Sequence, residues 1–260
     1  MGEFFGFGGY QRPAEGFMSW QHLTFVTALV LAMIFLAVFF GKKNAKVSEK
    51  IKNKALVIAA LLIDGLELFK IVLMCFRAKD PMRWTSELPL FLCSIQLITV
   101  PLAAFSKGRL KEAALDFVCI FGIMGAVLGT YGAGNNYGSY PVLSFDNVVS
   151  GLTHCISGFC SLYIMFSGLA SMKKKNICLT VVILLCFCVA AYIANIFTNA
   201  NYMFLLRGDG TPYDILFNLV GGNAVLYPMG VVLLFFVYIC IFYGVFFGVR
   251  SRKKIPVEVK

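Results

Sequence analysis

The chain has 260 residues, of which 59% are hydrophobic and only 14% charged, and its mean hydropathy is +0.81. Soluble globular domains run at about 45–50% apolar and 25% charged residues, so this composition excludes a soluble enzyme or binding module. The net charge of +10 does not indicate a nucleic-acid partner, because the basic residues are dispersed over the segments that join apolar stretches.

A membrane-spanning helix needs about 20 apolar residues, since the hydrocarbon core is about 30 Å thick and a helix rises about 1.5 Å per residue. Windows of that kind fall at about Trp20–Phe40, Ala55–Cys75, Ser86–Ser106, Ala114–Gly132, Val148–Ala170, Ile177–Thr198 and Val225–Val249. They predict an all-α membrane protein, a seven-transmembrane helix bundle, occupying residues 1–260 as a single domain.

Residues 1–19 precede the first window. They are rich in Gly and Phe, lack the basic start of a signal peptide, and suit a segment lying at the outer membrane interface. The first loop carries Lys42, Lys43, Lys46, Lys50, Lys52 and Lys54, the third Lys107, Arg109 and Lys111, and the fifth Lys173, Lys174 and Lys175. With the basic tail, residues 250–260, these lie on one side of the predicted membrane. The opposite side has Arg12, Arg77, Lys79, Arg83 and Arg207. Cytoplasmic loops are enriched in Lys and Arg, so the N-terminus is expected outside and the C-terminus in the cytoplasm.

The connections on the outer side, Tyr131–Asn147 and Asn199–Ala224, are longer and rich in Gly and Asn, and either roof a cavity or simply connect helices. In the fourth window Gly122, Gly125, Gly129 and Gly132 share a face, a pattern that lets helix backbones approach closely, and they are assigned to packing. The nine cysteines show no metal-ligand or CxxC spacing, so neither a zinc site nor a disulfide framework is expected.

Polar side chains inside a span are costly and usually face the bundle interior or a wet cavity. Here they gather in the outer half: Asp64, Glu67 and Lys70 on the second window, Ser86, Glu87, Cys93, Ser94 and Gln96 on the third. Asn147, Ser150, His154, Ser157 and Ser161 follow on the fifth, and Tyr192, Asn195, Thr198 and Asn199 on the sixth. Cys93, His154 and Glu67 fall roughly 10, 9 and 12 Å below the outer ends of their windows. One outward-facing pocket is therefore expected, with Cys93 and His154 as its catalytic pair. A neutral imidazole within hydrogen-bond reach activates a thiol, and a third group that orients the imidazole completes the arrangement. Glu67, Asn195 and Asn199 are candidates for that third group, and His22, the only other imidazole, is a candidate member. Each also has a structural alternative: His154 as a helix-bridging histidine, Glu67 and Lys70 as a mutually neutralising i,i+3 pair, the serines bonded to their own helices. Cys155 points about 100° away from His154 and is the poorer nucleophile candidate.

The stretch Glu87–Ser94 with its Leu88-Pro89-Leu90 and Cys93, the helix bearing Thr153-His154, and Ala200-Asn201-Tyr202-Met203-Phe204-Leu205 together resemble the YwaF-like family of integral membrane proteins. Transmembrane protein 164 is the eukaryotic member of that family. The resemblance runs from the first window to the last. It implies a cysteine-dependent acyltransferase that moves a fatty acyl chain from a diacyl phospholipid to a lysophospholipid, particularly an ether-linked lysophosphatidylethanolamine. By motif position Cys93 matches the nucleophile and His154 its base. The bacterial pattern often has a histidine two positions before the cysteine; this chain has Phe91 there, so no role for that histidine carries over.

The expected chemistry is an acyl-cysteine thioester formed by Cys93 with His154 as proton carrier. Backbone N–H groups near Pro89, with Gln96 or Asn195, are candidate oxyanion donors. Ser94, Ser150, Ser157, Asn199 and His22 are the remaining members of the polar pocket. No cofactor or metal is expected. The partners are phospholipid and lysophospholipid, with no nucleic acid and no obligate protein partner. The alternatives are a lipid acyl hydrolase using the same pair, and a small transporter or receptor using Asp64, Glu67 and Lys70. The expected location is a bacterial cytoplasmic membrane, or the endoplasmic reticulum in a eukaryote.

Overall fold

The computed structural model describes residues 2–170, 172–198 and 200–252, the last three by backbone alone. Most of the basic tail and Asn199 therefore lie outside the described residues. Those described form α-helices and short 3-10 turns, with no strand among them. Five helical stretches are long and apolar enough to cross a membrane: Trp20–Asn44, Gly108–Ser139, Phe145–Ser167, Lys174–Thr198 and Leu226–Val249.

The chain divides into two compact units, Met1–Ser171 and Met172–Lys260. The first holds α1 (Trp20–Asn44), α2 (Glu49–Ala78), α3 (Gln96–Phe105), α4 (Gly108–Tyr131), the short α5 (Gly134–Ser139) and α6 (Phe145–Ser167). Its centre is α4, whose middle from Ala113 to Gly122 is wholly buried. α4 packs against α3 and α6, and α6 also packs against α1 and α2. Close approach depends on glycine where α6 crosses between its neighbours: a Cβ on Gly158 would overlap both Met33 Sδ of α1 and Ala126 Cβ of α4. α1 begins at Ser19, whose Oγ accepts from the His22 N–H at 3.2 Å. α6 begins at Ser144, whose Oγ accepts from the Asn147 N–H at 3.3 Å, and ends on left-handed Gly168. Both starts follow the preference of serine for helix N-caps.

α2 is 30 residues long, but Asp64, Glu67 and Lys70 interrupt its apolar run. The third window is not one helix. After a 3-10 turn over Pro81–Ser86, it is divided into a non-helical passage through Glu87–Ile95 and the ten-residue α3. Pro89 disfavours helical geometry at the residue before it. Ser94 then closes a local turn: its Oγ accepts from the Phe91 N–H at 3.0 Å and donates to the Phe91 carbonyl at 3.2 Å.

The segment before α1 is tied to α2 and α6. Arg77 grips Asp146 through two hydrogen bonds of 2.7 and 2.6 Å and also donates to the Phe5 carbonyl at 3.1 Å. Tyr10 O–H donates to the same carboxylate; burial foremost, and then Asp146, raise its pKa, so the phenol stays protonated. Glu15 accepts from the Val142 N–H at 2.7 Å. Burial works against ionisation of this carboxyl, but the backbone donors and Arg12 prevail and hold its pKa below the usual value.

The second unit contains α7 (Ile177–Thr198), α8 (Tyr213–Leu219) and α9 (Leu226–Arg252). Its connection after α7 is an ordered turn in which Asn201 donates to the Arg207 carbonyl at 2.7 Å and to Asp209 at 2.8 Å.

Candidate active site

Cys93 sits in the turn immediately before α3, and His154 lies in the third turn of α6. Their side chains interact and pack against one face of α4, Cys93 at Gly125 and His154 at Gly129, and both residues are half-buried.

The tautomer of His154 follows from its other contact. The Ser150 carbonyl lies 2.6 Å from Nδ1, and the Ser150 Oγ 3.5 Å from it. A carbonyl can only accept, so Nδ1 carries the proton and Nε2 is left with the lone pair that a thiol can use. The group that orients the imidazole is thus a main-chain carbonyl one turn back on the same helix.

α4 forms the wall behind the pair through its glycines. A Cβ on Gly125 would lie 3.4 Å from Cys93 Cα and Cβ, ordinary contact, whereas one on Gly129 would overlap His154 Cδ2 and Nε2. Gly122 faces the Ser157 carbonyl, 2.8 Å from where its Cβ would stand. The stripe does pack helices, but at Gly129 the packed group is the His154 imidazole. Neither that position nor the Ser150 carbonyl was singled out in the sequence as part of the site. A glycine one turn from the end of a span, on the face shared with Gly125, is the only trace there.

The other candidates are engaged elsewhere or lie nearby. Glu67 pairs with Lys70 at 2.6 Å, and Glu87 approaches the same ammonium at 3.4 Å, so the structure uses Glu67 in an ion cluster. His22 is fully buried: its Nδ1 accepts from the Met18 N–H at 3.2 Å, its Nε2 donates to the Thr130 carbonyl at 3.1 Å, and its ring lies 4.0 Å from that of Tyr137. Asn195 belongs to the second unit, where it accepts from the Tyr202 N–H at 2.6 Å and donates to the Tyr202 carbonyl at 3.1 Å. Ser94 shapes the nucleophile's turn, and Ser150 Oγ also accepts from Asn136 at 3.3 Å. Gln96 and Ser157 stand one turn along from Cys93 and His154. Both are buried, and Gln96 Nε2 and Ser157 Oγ have no hydrogen-bond partner among the described residues.

Comparison with known proteins supplies a family. The model of the TMEM164 family matches residues 17–243, most of the chain and all the residues just described around Cys93 and His154. No curated protein and no solved structure matches.

Proposed function

The chain belongs to the TMEM164 family of membrane proteins, and from that premise we propose that it is a phospholipid acyltransferase working through an acyl-cysteine intermediate. The observation that carries this proposal is the placement of the Cys93 and His154 side chains against Gly125 and Gly129 on one face of α4, with Nδ1 of the imidazole already engaged by the Ser150 carbonyl.

Nε2 of His154 takes the thiol proton as the sulfur attacks the ester carbonyl of a diacyl phospholipid. The tetrahedral oxyanion collapses, the carbon–oxygen ester bond breaks, and the leaving lysophospholipid oxygen recovers the proton from Nε2. A lysophospholipid hydroxyl then gives its proton to Nε2 and attacks the thioester. Collapse expels the Cys93 thiolate, which is reprotonated by the imidazolium, and a new diacyl phospholipid is released. The oxyanion forms beside the sulfur, with the buried and unpartnered Gln96 Nε2 one turn along as its donor.

In this proposal α2, and α3 with the passage before it, join the five apolar helices to make seven crossings. The N-terminus and the dyad then face outside, in accord with the basic loops at the other side. The membrane is the cytoplasmic membrane of a bacterium, or the endoplasmic reticulum of a eukaryote. A hydrolase differs only in that water replaces the lysophospholipid. The test uses a diacyl phospholipid with labelled acyl chains together with a lysophospholipid acceptor. The proposal expects label mainly in the acceptor and none with Cys93→Ala. Label mainly in free fatty acid means hydrolysis, and unchanged transfer by Cys93→Ala refutes the mechanism.

A further inference from the structure

A well-formed cavity of the first unit lies away from the dyad. It is a groove of about 590 Å³ between α1, α2 and α6, within the roughly 300–1,000 Å³ of ligand sites. On α6 its wall is Leu152, Cys155, Ile156 and Phe159. The dyad side of the same helix carries Ser150, His154, Ser157 and Ser161. At about 100° per residue these stripes lie about 180° apart, so groove and dyad occupy opposite faces of α6.

The groove is polarised along its length. From Leu29 to Lys43, both lining it from α1, the helix rises about 21 Å, most of the roughly 30 Å hydrocarbon core. The wall is apolar except at one end, where Lys43, Asn44 and Lys54 meet. Among the described residues neither lysine is in an ion pair. A second cavity, lined by Lys50, Asn53 and Lys54, adjoins this end. The end is also built: Asn44 donates to the Tyr163 hydroxyl at 3.0 Å, which donates to the Lys52 carbonyl at 2.9 Å, joining α1, α6 and α2. A preformed mouth lowers the ordering cost of a ligand.

We propose that this groove is a binding site for an anionic phospholipid. The phosphate lies between Lys43 and Lys54, and an acyl chain runs along α1 and α6 toward Cys155. The two unpaired cations at one end of an otherwise uncharged, chain-length groove select that occupant, since basic residues at the membrane surface attract anionic headgroups. The site is separate from the thioester chemistry and does not depend on it.

Native mass spectrometry of the full-length protein in detergent tests it, with phosphatidylglycerol and phosphatidylcholine of identical chains competing. The expected result is one retained phosphatidylglycerol per monomer in clear preference to phosphatidylcholine. Lys43→Gln and Lys54→Gln should each lower that preference about fivefold. The pair Lys42→Gln with Lys46→Gln removes twice the charge of either single variant close by without touching the groove wall and should leave the preference intact. Ala55→Phe, which fills the wall, should lower retention of both lipids. Equal retention of the two lipids by the wild type, an equal loss with the Lys42/Lys46 pair, or a second copy of the chain in place of lipid would each overturn the proposal.

Discussion

The two histidines of this chain occupy contrasting environments in the same unit. His22 is enclosed: a main-chain N–H and a main-chain carbonyl take both ring nitrogens, and Phe17 and Tyr137 take its faces. His154 has one nitrogen fixed by a carbonyl and the other turned to a thiol, in a half-buried position. An imidazole with both nitrogens engaged by backbone can only hold structure together. One with a single fixed nitrogen is oriented and still able to move a proton. What separates the two rings is which nitrogen is left over, not depth in the membrane.

The largest effect that sharpens this contrast comes from the pair itself. Cys93→Ala should abolish acyl transfer, and His154→Ala should lower its rate by about 10²–10⁴, the usual contribution of general acid–base catalysis. Next comes the wall behind it. Gly129→Ala should turn the imidazole away and cost about 100-fold in rate, since a displacement of about 1 Å can cost that much. Gly125→Ala, with ordinary contact to Cys93, should cost less than about tenfold. Rates measured beside the thermal midpoint of each variant would separate misplacement from unfolding. His22→Ala should show the converse profile. It loses about 2–4 kcal/mol of stability through two hydrogen bonds and a cavity, while the rate of the folded fraction stays within a few-fold.

The smallest effect concerns pH. Because the folded-state pKa of Glu15 is depressed, its contribution is present above the ordinary carboxyl value of 4.5 and is lost as pH falls through the folded value. Thermal midpoints of wild type and Glu15→Gln should therefore differ at neutral pH and converge in acid.

Much of the fold was legible because apolar length survives any packing. The window Ile177–Thr198 coincides with α7, and the first, fourth and last windows lie within or beside α1, α4 and α9. The third window misled for a physical reason: a hydrophobic count does not distinguish a helix from an apolar turn. Pro89 and the Ser94 hydroxyl were the local signs that this passage breaks. Cys93 and His154 stood out as residue types at matched depth, whereas the group that fixes the imidazole did not. Glu67, Asn195 and Asn199 were the candidates for it, with a Glu67–Lys70 pair as the alternative; Lys70 does take Glu67, and a main-chain carbonyl, identical at every residue, holds Nδ1. Gly129 was hidden for a similar reason, since a glycine announces space without saying what fills it.

The most direct measurement is intact-protein mass spectrometry after incubation with a defined diacyl phospholipid. The account predicts an added acyl mass on the wild type that hydroxylamine removes, persists in His22→Gln, and is missing from Cys93→Ala. An adduct of equal size on Cys93→Ala would contradict it.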